Sequence, residues 1–342
     1  MWPARSDYRT ELGKGLTTVV EYPVSVAGLY QYCDVIGLLS AGGPGFSGPV
    51  SLALGPDGLL HVASRANPNQ PEAVRVTRCT IDGDYVGEFC GWGEAPGQFI
   101  WVTAIAFGPD GNLYLADENT HRISRFTAQG DFLGHWGEFG SGFGQMNRPS
   151  SMAFAPDGTL VIADSLNHRI QRFTMDGSPL AAWGTYGTGP GQFNMPWGVS
   201  VDTDGAVYVS DWRNDRIQKF DADGQFLAQF DGNNGGDGFS RPSGIAVGDR
   251  RIYVCDWRND RVQVLDADGQ VIDTLIGHSG TSKWARTFLD ANPDIEEKLN
   301  QATQNIELKR RFYRPTAVAL GGDGLVFVAD CYRHRVQIYR RL

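Results

Sequence analysis

Five times along this chain an apolar strand ends in Asp, a short loop follows, and an Arg opens another apolar run. The copies are Asp117-Glu-Asn-Thr-His-Arg122, Asp164-Ser-Leu-Asn-His-Arg169, Asp211-Trp-Arg-Asn-Asp-Arg216, Asp256-Trp-Arg-Asn-Asp-Arg261 and Asp330-Cys-Tyr-Arg-His-Arg335. Their aspartates are spaced by 47, 47, 45 and 74 residues. A repeat of this length, with several short strands per unit, cannot bury its apolar faces alone. It predicts a β-propeller, in which each blade packs on its neighbours around a central channel.

The unit around Asp211 defines one blade. Gly198–Asp202 is a small-residue strand suited to the channel side, and Thr203-Asp-Gly205 supplies a turn. Ala206–Ser210 and Arg216–Phe220 flank the Asp loop, and Gln225–Phe230 is the outer strand. Inner strands start near Pro49, Trp101, Pro149, Pro196, Pro242 and Pro315, which gives six blades. The sixth holds only three strands before Leu342, so its outer strand is expected from the N-terminus. Pairing the two ends would remove exposed sheet edges. We therefore expect an all-β, six-bladed propeller of four-stranded antiparallel blades as a single domain over residues 1–342. Residues 1–32 read as an arm against the ring, and residues 33–48 as the closing strand and its crossing.

Carried by the Pro-x-Gly inner start, the Asp-Gly turn, Asn-x-Arg-(Ile/Val) and Gly-x-Gly-Gln-Phe, the sequence from about residue 33 to 342 resembles the NHL repeat family. That resemblance implies the propeller fold and leaves function open, since such propellers include RNA binders, protein-interaction platforms and enzymes.

Two departures from the repeat stand out. In the first blade Ser64 replaces the Asp, and the loop Arg65–Ala73 is longer than its siblings; it reads as an ordered surface loop or a tolerated insertion. Between blades five and six, residues 279–314 form a helical insertion. Asn292-Pro293-Asp294 supplies an N-cap and a proline at the first helical position. Ile295, Leu299, Ala302 and Ile306 then recur at helical spacing, with acids leading and bases trailing as the helix dipole favours. The insertion leaves from the face that carries the Asp loops, so it is expected beside or over the channel mouth, as a lid or a partner-docking element.

The two residues after each strand-ending Asp should lie nearest that mouth. They bring Arg65, Glu118, Trp212, Arg213, Trp257, Arg258 and Tyr332 together, with Trp101 and Trp197 at inner-strand starts and Tyr313 just before the sixth. Guanidiniums among aromatic rings suit a carboxylate or phosphate, by bidentate hydrogen bonds and stacking. The alternative is that Trp212, Arg213, Trp257 and Arg258 merely stack between blades, with Asp215 and Asp260 pairing the arginines. The repeated Asp and Arg, and His121, His168 and His334 at one repeat position, read as structural. Cys331 is a buried thiol or an activated one.

Peptide-amidating lyases, which are NHL-like propellers, hold a metal with histidines at inner-strand starts and use Arg and Tyr after the strand-ending Asp. Arg213, Arg258 and Tyr332 occupy similar loop positions here. The metal positions do not match: Val50, Ser150, Trp197, Ser243 and Thr316 follow the prolines, with Val102 in the second blade. No cofactor is expected. Zinc lacks its imidazoles, and calcium, as in gluconolactonase-like propellers, finds only Glu118 and Asp202 as candidates.

A net charge of −9 argues against nucleic acid or anionic membrane as a partner, since both need clustered Lys and Arg. Five scattered cysteines without a Cys-x-x-Cys pair, and the lack of a signal-like or membrane-length apolar run, point to a soluble, cytoplasmic monomer. The leading expectation is a module that binds a small anionic or aromatic ligand, or a peptide. The alternative is a hydrolase or lyase acting on an acyl, lactone or hydroxylated substrate. There Arg213 and Arg258 would position an anion while Tyr332 or Glu118 serves as acid or base.

Overall fold

A computed structural model describes residues 24–66, 69–233, 236–295, 298 and 309–342. Six four-stranded antiparallel sheets form a ring, each running from an inner strand at the channel to an outer strand at the rim. The inner strands are Pro49–Leu54, Val102–Phe107, Pro149–Phe154, Pro196–Val201, Pro242–Gly248 and Pro315–Leu320. Second strands are almost wholly buried, whereas outer strands such as Phe226–Phe230 alternate between half-buried and exposed residues. This alternation is the period-2 pattern of a sheet with one face packed on its neighbour. Each seam between blades then holds its own apolar cluster, such as Val161, Phe193, Val199 and Phe220 between blades 3 and 4.

The sixth sheet is completed by Tyr30–Ile36, which pairs antiparallel with Arg335–Arg341. The closing strand therefore starts three residues before the expected Cys33. Tyr30 is fully buried against Tyr253, so the apolar pairing extends beyond the repeat signal. The described part of the arm clips onto blade 5: Ala27 and Leu29 donate backbone N–H groups to Asp273 at 2.8 and 3.0 Å, and Ser25 donates its hydroxyl to the same carboxylate.

Inner strands approach one another closely. A Cβ at Gly244 would lie 2.4 Å from the Thr316 carbonyl, and one at Gly198 2.1 Å from the Ser243 carbonyl. Only glycine fits there, and the inner ring is correspondingly tight. The channel cavity is about 100 Å³, lined by small residues including Ser51, Thr103, Ser151 and Gly244, with Trp197 at the end where the inner strands start. That is well below the several hundred Å³ of a typical small-molecule site.

The insertion holds a helix that was not expected. A helix, α1 (Lys283–Asp290), precedes the predicted start; Ser282 caps it, accepting from the Ala285 amide at 3.1 Å. Ser282 also donates to the Gly37 carbonyl, Lys283 pairs with Asp84, and Trp284 packs edge-on to Phe46 at 5.3 Å. These partners put α1 on the outer rim at the seam between blades 6 and 1, against the closing strand, not over the mouth. The reason lies in the crossing itself. Phe312 donates to the Ile276 carbonyl and Ser279 to the Arg310 carbonyl, so both ends of the insertion are pinned where an ordinary crossing would run. From Ser279 the chain runs outward to α1. A helical turn does begin at Pro293; the positions Leu299, Ala302 and Ile306 lie outside the described residues.

Candidate functional site

The Asp loops build the face on which the inner strands start. In blades 3 to 6 the strand-ending Asp is followed by a single helical turn: Ser165–Asn167, Trp212–Asn214, Trp257–Asn259 and Cys331–Arg333. Each turn ends in a left-handed residue, His168, Asp215, Asp260 or His334, with φ between 52° and 55°. Asp211 shows what holds the turn. Fully buried, it accepts from the Asn194 amide at 2.8 Å, Asn214 Nδ2 at 2.8 Å, Arg216 Nε at 2.9 Å and Gln218 Nε2 at 3.2 Å. Arg216 then uses its other nitrogens on the carbonyls of Thr188, Gly189 and Gln192 in the preceding crossing. Asp164, Asp256 and Asp330 pair with Arg169, Arg261 and Arg335 in the same way. Burial raises the carboxyl groups of Asp164, Asp256 and Asp330 above their ordinary range, partly offset by these donors. In blade 2 the pattern changes: Asp117 caps the amides of Ile100, Trp101 and Asn119, while Arg122 bonds only to the crossing carbonyls of Glu94 and Gln98.

The left-handed residue of each turn latches the next blade. His121 Nδ1 accepts from the Arg148 amide, His168 from Met195 and His334 from Gly48, at 3.0 to 3.1 Å. Asp215 and Asp260 do the same for the amides of Arg241 and Arg314, at 2.7 and 2.8 Å. These two carboxylates thus serve backbone amides of the following blade, not Arg213 and Arg258. As acceptors the imidazoles are neutral, and burial lowers the pKa of all three.

Beside the latches runs a band of rings and guanidiniums. Trp197 packs on Trp212 at 5.9 Å, and Trp212 on Trp257 at 6.4 Å. Arg241 lies 4.7 Å and Arg213 5.9 Å from the Trp212 ring, and Arg314 lies 4.3 Å from that of Trp257. Tyr313 packs on Tyr332 at 5.5 Å, and both are exposed. Across blades 1 to 3, Trp101 has Arg65 at 5.0 Å and Arg148 at 5.9 Å. Arg258 projects into solvent without a ring or carboxylate partner among the described residues. The predicted ligand-binding residues therefore share one face, and the tryptophans of blades 4 and 5 do stack between blades.

Three arginines of this band were not expected: Arg148, Arg241 and Arg314. Each stands immediately before an inner-strand proline with a left-handed φ of 55° to 60°. The recurring Arg-Pro dipeptide was the available signal. Register also revises blade 2. Val102 pairs with Asp117 as Pro149 pairs with Asp164, so Trp101 is the counterpart of these arginines, and Thr103 of Ser150.

Glu118 is buried and ion-paired with Arg65. Its carboxylate is thus engaged within the fold. Asp202 caps its own turn through the amides of Asp204 and Ala206, at the other end of the inner strand. The hydroxyls that stand where the lyases carry histidines are committed too: Thr103, Ser150, Ser243 and Thr316 donate to the carbonyls of Pro149, Pro196, Pro315 and Pro49. Neither donor set fits a metal, and no group of three His, Cys, Asp or Glu converges among the described residues. Burial pushes the Cys331 thiol up to about 12, which makes it an inert thiol at neutral pH.

The NHL repeat profile matches residues 146–173, 193–220, 239–265 and 312–339, the strand–turn–strand cores of blades 3 to 6 with their crossings. The chain carries NHL repeats. This NHL propeller is similar in fold to several solved structures. A streptogramin B lyase has 14% identity and a TM-score of 0.56 over 92% of this chain and 98% of that one. Virginiamycin B lyase from Staphylococcus aureus, solved as a catalytically inactive variant with quinupristin, has 16% identity and a TM-score of 0.58, covering 92% and 100%. A protein designated a putative gluconolactonase has 15% identity and a TM-score of 0.59, covering 90% and 92%. At these identities the likeness is one of fold. No curated protein matches the NHL propeller by sequence. Among the described residues, no helix is long and apolar enough to cross a membrane.

Proposed function

We propose that this propeller is a binding module whose mouth face recognises an anion, a small aromatic acid or an acidic peptide, through the arginine–tryptophan band of blades 4 to 6. One observation carries the reading. Arg213 and Arg241 flank the Trp212 ring, and among the described residues neither guanidinium is paired with a carboxylate; Asp215 holds only the backbone amide of Arg241. In a chain of net charge −9, uncompensated guanidiniums gathered on one face run against the overall balance. Stacking fixes each guanidinium plane and leaves its N–H edge for a carboxylate or phosphate. The narrow channel favours a ligand lying across the mouth.

Calorimetric titration with phenyl phosphate tests this. Saturable binding that weakens at least tenfold in Arg213→Ala/Arg241→Ala, and weakens with rising salt, is expected. Heat without saturation, or affinity unchanged in the double variant, would remove the reading.

A further inference from the structure

The outer part of the same face carries a second pattern. Leu39, Trp92, Phe139 and Tyr186 occupy one repeat position in successive crossings, each paired in a short parallel bridge with the residue seven further on. All four are more than half exposed, at 59%, 54%, 61% and 67%. Large apolar side chains held outward at four equivalent places form a patterned apolar surface, not isolated exposed residues. At the two remaining crossings the same position is Gly232 and Gly277. Those crossings lead into blades 5 and 6, where Arg241, Arg258 and Arg314 stand. The face thus carries an apolar arc over the outer crossings of blades 1 to 4 and a cationic sector over blades 4 to 6, with Arg65 and Arg148 beside Trp101 on the inner side of the arc. Two rings of the arc pack on the latches beside them: Phe139 on His121 at 4.7 Å and Tyr186 on His168 at 5.0 Å.

We propose that this face docks a segment of a partner protein in which Asp or Glu residues adjoin large apolar ones. The acids would meet the arginine sector and the apolar side chains the arc. The inference rests on the anion recognition proposed above and extends it to a polypeptide. Charge complementarity selects the acidic half of the segment. Exposed Glu94 and Glu138, beside Trp92 and Phe139, disfavour a phosphate backbone along the arc.

Panning a random dodecapeptide phage library on the folded protein tests the proposal. Recovered peptides should pair Asp or Glu with Leu, Phe, Trp or Tyr. A synthetic copy should bind at least tenfold more weakly to Trp92→Ala/Phe139→Ala/Tyr186→Ala, whose phenyl phosphate affinity stays unchanged. Arg213→Ala/Arg241→Ala should weaken both ligands. Recovery of no consensus, of peptides lacking acids, or of peptides indifferent to the arc variant would overturn the docking surface while leaving anion binding in place. Loss of phenyl phosphate binding by the wild-type protein would instead remove the reading beneath it. Binding of a random 20-nucleotide RNA pool through the arc residues, without peptide binding, would overturn the proposal in favour of nucleic acid.

Discussion

The guanidinium of Arg314 lies 4.3 Å from the centre of the Trp257 ring, across the seam between blades 5 and 6. The backbone amide of Arg314 is held by Asp260, three residues beyond Trp257. Stacking and latch therefore act on one residue, and the latch positions the guanidinium. Arg314 Nη1 also donates to the Trp257 carbonyl at 3.3 Å.

A double-mutant cycle on Arg314→Ala and Trp257→Ala should yield a coupling of roughly 0.5–2 kcal/mol in urea unfolding, the range for cation–π pairs from exposed to desolvated sites. Arg314→Lys should recover little of it, because an ammonium lacks the planar stack. A coupling indistinguishable from zero would mean that the stacked geometry contributes nothing to holding the seam.

The three histidine latches make stability depend on pH. Burial lowers the folded-state pKa of His121, His168 and His334 below the ordinary 6.5. The unfolded chain then binds protons more readily than the folded one. The latches' contribution is complete above about pH 6.5 and is lost as pH falls from there through the folded values. Since Asp215 and Asp260 perform the same task, the triple substitution His121→Asp/His168→Asp/His334→Asp should keep the latches and flatten this part of the profile. The buried carboxyls of Asp164, Asp256 and Asp330, raised by burial, act in the opposite sense but are common to both proteins. Thermal unfolding from pH 8 to 5 decides it: parallel curves for wild type and triple variant would contradict the assignment.

The ring was legible in the sequence because each blade repeats the same local solution. Asp211 and Arg216 recur where a buried carboxylate must satisfy a turn and the preceding crossing at once. The mouth residues were legible for the same reason, since their positions follow from the repeat. Less visible were features that depend on two blades meeting. Arg241 and Arg314 act on the blade before them, and nothing local to Arg-Pro announces a tryptophan 4.7 or 4.3 Å away. The charge order and apolar spacing of the insertion fall mostly on positions outside the described residues, and the helix that is seen, α1, precedes them. The docking of α1 rests on Trp284, whose partner Phe46 is distant in sequence.

Trp284 is nearly buried, in a cluster with Ile36 of the closing strand, Phe46 and Cys79. Trp284→Ala should destabilise the protein by about 3–5 kcal/mol if the site fails to collapse, in line with large-to-small substitutions in cores. The loss should be local to the seam where the ring closes. Hydrogen exchange of the Tyr30–Ile36 amides should accelerate well before that of Val207–Asp211 on the far side. Uniform acceleration across both strands would show that α1 does not specifically brace the closure.

Tyr332 separates a binding face from an active site. It is 58% exposed, packed against Tyr313, and makes no side-chain hydrogen bond among the described residues. Its ring can therefore contribute surface to a ligand without its hydroxyl. On the binding reading, Tyr332→Phe keeps the stack and changes phenyl phosphate affinity by less than about threefold, under 1 kcal/mol. If instead the hydroxyl is the acid or base of a lyase or hydrolase, the same substitution lowers turnover of a lactone or acyl substrate by roughly 10²–10⁴-fold with binding retained. Measuring both quantities on one preparation distinguishes the cases. Turnover by the wild-type protein that collapses in the variant would move this propeller from recognition to catalysis.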